Sequence, residues 1–437
     1  MIWLYRVLFP FGLLAVAPRY LWRMRRRGGY SERFGDRFGG YGSLPPRSAG
    51  RRRVWIQAVS VGEMLCIEPI LRGLQEDGAE VFLTTTTSTG FRLAQERYGE
   101  LVIGLAYFPI DWLPFSSRAW EAVRPDLAIL TEGERWPEHL RQAAVRGVPT
   151  VCINGRISDR SFRRMKRFPA TARLVLGGIG RLLAGSARDG ERFVALGYPA
   201  SRLLVTGNIK LDITLPPLDD EPKRVLRAQL GLAPGSLVLL GSSTWEGEEA
   251  ALLGALRGAR EAGIACSLLL VPRHAERRGD IESLLRATGL SFHLRSTGDA
   301  PGEVDVSVAD TTGELRTLTQ LADVVYVGKS LPPHTEGQTP VEAAALTRPI
   351  LFGLGMGNFR EIARDLVGRG AARPVADAED LKRAVVELFR DEAKRKALAS
   401  AASEWRRANA GAVVRTLAIV RAELGGSGGS GASGLSG

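Results

Sequence analysis

Short apolar runs alternate along most of this chain with longer stretches in which apolar residues recur every three or four positions. Runs at 54–59, 81–85, 102–107, 127–130, 150–153, 182–184 and 203–205 predict buried strands in the first half. Runs at 237–241, 267–271, 304–308, 324–327 and 349–352 do so in the second. The amphipathic stretches between them predict helices, among them 64–75, 90–98, 136–146 and 187–196, then 246–262, 276–287, 313–321, 341–346 and 358–366. Strand–helix alternation of this kind predicts α/β domains with parallel sheets covered by helices on both faces. With 437 residues the chain exceeds one typical domain. The expected architecture is two doubly wound, Rossmann-type domains facing each other across a central cleft.

The stretch 213–222, Ile-Thr-Leu-Pro-Pro-Leu-Asp-Asp-Glu-Pro, is proline-rich and acidic and predicts the linker. It separates a first domain at 28–212 from a second at 223–376. Helices are expected at 377–424, packing back across the first domain. A Gly/Ser-rich tail at 425–437 is expected to be disordered. No short-period repeat is visible.

Residues 1–27 differ in kind. Met1 to Trp22 is apolar apart from Arg6 and Arg19, with Trp3, Tyr5, Tyr20 and Trp22 near its ends. A transmembrane helix needs about 20 apolar residues, a length reached here only if both arginines reach out to the interface. Arginines follow, at 19, 23, 25, 26, 27, 33 and 37, and no small-residue cleavage site. The expectation is a membrane-associating segment on a cytoplasmic body; the alternative is a buried helix of the first domain. Net charge is +12. A second basic cluster holds Arg156, Arg160, Arg163, Arg164, Lys166 and Arg167. Such patches suit anionic lipid or phosphorylated substrates, and no nucleic-acid-binding motif accompanies them. Cys66, Cys152 and Cys266 lie far apart, which predicts reduced, buried thiols and no zinc site.

Candidate chemistry gathers at strand ends, where open parallel sheets bind ligands. Ser60-Val61-Gly62-Glu63 follows the first strand. Its Ser-x-x-Glu spacing reads as a capping box, and the same carboxylate stands where a general base would. The spacing recurs at Ser243–Glu246, Thr311–Glu314 and Thr339–Glu342, each expected to open a helix. Glu132 lies just past the fourth strand and Lys210 past the last strand of the first half. Arg273 and His274, one of four histidines, follow a strand of the second half. A carboxylate base, with cations near a phosphate leaving group, suits glycosyl transfer. Singly, each of these charges also reads as a solvated loop residue.

Taken together, the motifs resemble a known family. They are Ser60-Val61-Gly62-Glu63, Glu132-x-Glu134-x-Trp136-Pro137, Asn154-x-Arg156-x-Ser158, Asp189-Gly190-x-Arg192-Phe193-x-x-Leu196-Gly197, Gly207-x-x-Lys210-x-Asp212, Ser243-Thr244-x-Glu246-Gly247-Glu248-Glu249, Pro272-Arg273-His274-x-Glu276-Arg277, Asp310-Thr311-x-Gly313-Glu314-Leu315 and Pro340-x-Glu342-Ala343-Ala344. In this order they resemble the 3-deoxy-D-manno-octulosonic acid (Kdo) transferases. The resemblance implies a GT-B-like fold and metal-independent, inverting transfer of Kdo from CMP-Kdo to a phosphorylated lipid A precursor. It implies a site at the cytoplasmic face of the bacterial inner membrane and no nucleic-acid partner. Carried over by position, Glu63 would be the general base, and Glu132 and Lys210 would stabilise the transition state. Pro272, Arg273, His274, Thr312, Gly313 and Glu314 would hold CMP, with Thr339, Pro340, Val341 and Glu342 closing over it. No metal and no cofactor beyond the donor is expected.

The chain departs from the family pattern at Glu336-Gly337-Gln338-Thr339-Pro340, where Gly-Gly-His-Asn-Pro is usual. Trp245 stands where histidine is common, and Gly133 and Arg135 replace small polar and aliphatic residues. Two alternatives follow: a GT-B enzyme using another sugar nucleotide, and a non-catalytic, membrane-anchored binding protein of the same fold.

Overall fold

The computed structural model describes residues 1–27, 33–42, 44–213 and 215–426. The chain divides into two compact units, one of residues 1–212 with 411–437, the other of residues 213–410.

In the first unit seven strands form one sheet: β1 (Arg53–Gln57), β2 (Glu80–Thr85), β3 (Gly104–Tyr107), β4 (Leu127–Thr131), β5 (Thr150–Gly155), β6 (Arg181–Ala184) and β7 (Leu203–Val205). Their order is β3-β2-β1-β4-β5-β6-β7, parallel throughout. Side chains alternate across a strand, so β1 turns Val54 and Ile56 to one face and Trp55 to the other. The first face packs on Met64, Ile67, Ile70, Leu71 and Leu74 of the helix α2 (Val61–Glu76). The second meets an aromatic cluster of Phe82, Phe108 and Trp120. The central strands β1, β4 and β5 are buried between helices, which is why their runs do not alternate between apolar and polar, whereas Leu204 and Val205 of the edge strand β7 are exposed.

The second unit repeats the plan with β8 (Leu237–Thr244), β9 (Cys266–Pro272), β10 (Phe292–Leu294), β11 (Val306–Val308), β12 (Val324–Val327), β13 (Ile350–Gly353) and β14 (Ala372–Val375). Their order is β10-β11-β9-β8-β12-β13-β14, again all parallel. The apolar pattern does not predict β10 and β14. Both are edge strands: β10 has only three residues, and β14 carries Pro374, which an edge tolerates and a central strand does not.

The helices expected together at 377–424 divide between the units. In the helix Ala378–Arg390, Leu381, Ala384, Val385 and Leu388 lie on one face and fill the second core. The following helix Glu392–Asn409 stays in the second unit. Only Ala412–Gly426 returns to the first, where Leu417, Val420 and Leu424 join the core under α2. The approach is close: a Cβ on Gly73 would stand 2.6 Å from Leu417 Cδ1. The Asp212 carboxylate fixes the return by accepting from the N–H groups of Gly411 at 2.9 Å and Val413 at 2.7 Å. The expected linker keeps no regular structure over 215–219 and becomes helical from Asp220. The expected tail falls outside the described residues beyond Gly426.

The amino-terminal segment is one helix, α1 (Ile2–Arg27), with Pro10 and Pro18 inside it. Polar bonds tie its first turns to the first unit. Tyr5 donates to Asp111 Oδ2 at 2.7 Å, and Arg6 makes a two-pronged pair with Glu138 at 2.7 and 2.9 Å. Trp3, Leu4, Val7, Leu8, Phe11, Leu14 and Val16 remain largely exposed. No helix among the described residues is long and apolar enough to cross a membrane. The arginine side chains at 19, 23 and 25–27 lie outside the described set.

Candidate functional site

The strand order of the first sheet reverses between β1 and β4, and ligand crevices in doubly wound sheets open at such a reversal. Glu63 follows one of these strands and Glu132 the other. Glu63 is buried in the first turn of α2, the helix that Ser60 caps by accepting from the Glu63 N–H at 3.3 Å. The carboxylate does not close the expected reciprocal box on the Ser60 N–H. It reaches one residue further back, to the Val59 N–H at 2.9 Å, and takes the Ser60 hydroxyl at 3.2 Å. The Thr131 hydroxyl at the end of β4 completes the set. Burial pushes the Glu63 carboxyl above its usual range; the Thr131 and Val59 bonds oppose this, Glu132 adds to it and Lys210 opposes it. A carboxylate raised in this way is a stronger base.

Glu132 adopts a left-handed φ of +49° and Asn154, at the end of β5, one of +52°. Left-handed backbone in residues other than glycine is strained and collects at functional sites. Asn154 is buried and bridges two elements. Its Nδ2 donates to Glu132 Oε1 at 3.2 Å, and its Oδ1 accepts from the Ile209 N–H at 3.2 Å. The second bond fixes the short turn Ile209–Leu211, whose Lys210 ammonium pairs with the same Glu132 oxygen. Lys210 also lies 3.8 Å from where a Cβ on Gly62 would stand, at the start of α2. The structure thus brings the three predicted residues Glu63, Glu132 and Lys210 together. Cys66, nearby on α2, has its thiol pushed up to about 12 by burial, so it is no nucleophile at neutral pH.

The expectation that these three make up the first-unit site passes over Glu134 and Asn154, although both stand in the motifs. Burial, reinforced by the Glu63 charge, pushes the Glu134 carboxyl from 4.5 to about 7. The visible signal is the Glu-x-Glu spacing at a strand end. The shift has a consequence for stability. A carboxyl whose folded pKa is raised holds its proton more tightly when folded, so stability present below the unfolded pKa declines as pH rises through about 7. Glu134→Gln is expected to remove this decline and to exceed the wild type by about 2 kcal/mol at pH 8. Denaturant unfolding at pH 5 and pH 8 measures it, and parallel pH profiles for the two proteins would contradict it.

In the second unit β11, β9, β8 and β12 are neighbours, so the turns at their carboxyl ends share one rim. All ten predicted nucleotide-binding residues lie on it. Pro272 ends β9; the Arg273 N–H donates to Thr244 O at 3.2 Å, and its guanidinium is exposed. His274 meets Trp245 edge-on, ring centroids 5.2 Å apart. Thr312, Gly313 and Glu314 turn after β11, with Gly313 at φ +88° and Glu314 taking the Thr311 hydroxyl. Thr339, Pro340, Val341 and Glu342 lead into the short helix Val341–Ala345 after β12. One oxygen of Glu342 is buried without a hydrogen-bond partner among the described residues.

The three capping boxes expected here do not form as such. Helix Glu248–Glu261 begins after Gly247, which lies in a left-handed turn, and Ser243 has φ +54°. Thr311 bonds the Glu314 side chain, and Thr339 accepts from Val341 at 3.3 Å across a two-residue turn. The buried carboxylate that organises this rim is instead Glu248. It accepts from the N–H groups of Trp245, Lys329, Ser330 and Leu331 at 2.7 to 3.2 Å and from the Tyr326 hydroxyl at 2.6 Å. Among the described residues no three His, Cys, Asp or Glu side chains are grouped to hold a metal ion.

Two all-parallel α/β units of this construction make the chain GT-B-like. It matches UDP-GlcNAc 2-epimerase from Neisseria meningitidis with a TM-score of 0.57 at 14% identity, covering 84% of this chain and 100% of that one. A glycosyltransferase from Rickettsia africae ESF-5 matches with a TM-score of 0.55 at 11% identity, covering 86% and 99%. These likenesses concern the fold. Residues 32–213 match the family model described as 3-deoxy-D-manno-octulosonic-acid transferase. The 3-deoxy-D-manno-octulosonic acid transferase of Bordetella pertussis is 36% identical over 427 residues, covering 94% of this chain and 98% of that protein. The chain belongs to the 3-deoxy-D-manno-octulosonic acid transferase family.

Proposed function

We propose that the protein transfers Kdo from CMP-Kdo to a phosphorylated lipid A precursor in lipopolysaccharide synthesis, by a metal-independent, inverting displacement. The observation that carries this reading is Glu63, a buried carboxylate with a raised pKa at a strand-order reversal, in a chain of this family. The acceptor hydroxyl attacks the anomeric carbon of Kdo, and the bond from that carbon to the CMP phosphate oxygen breaks. The electron pair leaves on the phosphate, and Glu63 takes the hydroxyl proton. Lys210, held by Glu132, offsets negative charge as it develops. Pro272, Arg273 and His274 hold CMP with the turn Thr312–Glu314, and Thr339–Glu342 closes over it. The partnerless Glu342 oxygen is an acceptor suited to a ligand hydroxyl.

The protein works at the cytoplasmic face of the bacterial inner membrane in this reading. Support comes from the exposed apolar side chains of α1, rooted in the first unit through Tyr5 and Arg6. The test is CMP release from CMP-Kdo by purified protein in the presence of EDTA, with and without a tetra-acylated, bis-phosphorylated lipid A precursor. Acceptor-dependent release is expected. CMP binding without release would point to another sugar or acceptor, and neither binding nor release would overturn the proposal.

A further inference from the structure

The second sheet reverses its strand order between β8 and β12, so its own crevice opens between the ends of those strands. Two residues stand there that no motif assigns to the donor: Trp245 after β8 and Lys329 after β12. The Lys329 ammonium sits 4.0 Å from the centroid of the Trp245 indole, a cation–π contact, and 3.4 Å from Glu336 Oε1. His274 and His334 flank the same indole, with centroids at 5.2 and 6.1 Å. The indole N–H is buried and has no acceptor among the described residues.

The backbone holding this pair is clamped. Lys329 has a left-handed φ of +57°, and both its N–H and that of Trp245 end on the buried Glu248 carboxylate. Gly328 allows the approach, since a Cβ there would stand 2.4 Å from Ser243 O and 2.9 Å from Glu248 Oε2. A strained lysine whose ammonium lies on an aromatic face, with a half-exposed glutamate as its only counter-ion among the described residues, is a cation set in place ahead of a ligand. It is also partly desolvated, which strengthens its pull on an anion.

We propose that Lys329, seated on Trp245, binds an anionic group of the sugar nucleotide, either the nucleotide phosphate or the sugar-acid carboxylate, and that this group displaces Glu336. The inference rests on the reading of the chain as a CMP-Kdo transferase. It joins two departures from the family pattern, Trp245 and the Glu336 loop, into one feature of donor binding.

The test uses Lys329→Gly and Lys329→Met in the full chain. Glycine removes the ammonium and also relaxes the left-handed backbone, so Lys329→Gly should melt no lower than the wild type. Both variants should raise KM for CMP-Kdo about tenfold, the loss of one charge-assisted contact, with kcat changed less than about threefold. Calorimetry with CMP and with cytidine, and inhibition by free Kdo, separate the two sources. Weaker CMP binding with unchanged cytidine binding assigns the phosphate. Unchanged CMP binding with weaker inhibition by free Kdo assigns the carboxylate. An unchanged KM in both variants, in a wild type that binds CMP and turns over, would overturn the inference. A wild type that does neither would instead overturn the reading beneath it.

Discussion

Replacing Glu63 with glutamine is expected to lower kcat by about 10²- to 10⁴-fold, the usual contribution of a general base, while folding and CMP affinity stay as in the wild type. The geometry separates the two roles of this residue. The helix cap depends on the Ser60 side chain and the Glu63 backbone N–H, which the substitution leaves alone. The glutamine oxygen still accepts from the Val59 N–H and the Thr131 hydroxyl, so the side chain keeps its seat. What is lost is the ability to take a proton. The pH profile provides a second reading. A base works ionised, so activity falls as pH drops through the Glu63 pKa. Burial raises that pKa, placing the acid limb of kcat/KM above the ordinary carboxylate range. The limb should vanish from the residual activity of Glu63→Gln. Activity within about threefold of the wild type would instead leave Glu63 as a helix cap only.

The strands were legible where burial on both faces makes a run wholly apolar, as in Val54–Ile56 or Leu127–Leu130. The edge strands β10 and β14 of the second sheet were not, because β10 has only three residues and, in β14, half-exposed Arg373 and exposed Pro374 break the pattern where only one ladder must be satisfied. Capping boxes misled for a related reason. The spacing Ser-x-x-Glu specifies a helix start only if the backbone enters in an extended conformation. Ser60 does so at φ −114°, whereas Ser243 is left-handed because Glu248 draws the chain inward. Glu63, Glu132 and Lys210 could each be picked out as a charge at a strand end. Their grouping could not, since it depends on β4 lying beside β1 and on Asn154 holding the turn whose Lys210 pairs with Glu132. Glu134 shows the same limit: its raised pKa comes from burial beside Glu63, which spacing does not encode.

Lys210→Met is the second large effect expected, a fall in kcat of about 10²- to 10³-fold, on the scale of removing one preorganised donor from a developing anion. The ammonium pairs with Glu132 and is the cation that opposes the raised pKa of Glu63. Without it, Glu63 and the partly buried Glu132 face each other uncompensated. The acid limb of the pH profile should therefore move upward, a change that simple loss of a binding contact would not produce. The Glu132→Gln/Lys210→Met double variant divides the effect. If Lys210 only neutralises Glu132, removing both charges restores turnover along with the acid limb. If the ammonium acts on the reaction itself, the limb returns and turnover does not, and this second outcome is the one expected. Lys210→Arg should recover only part of the rate, because a guanidinium spreads its charge and makes its bonds in a different geometry. A kcat for Lys210→Met within about threefold of the wild type would remove the lysine from the mechanism and reduce its pairing with Glu132 to a structural contact.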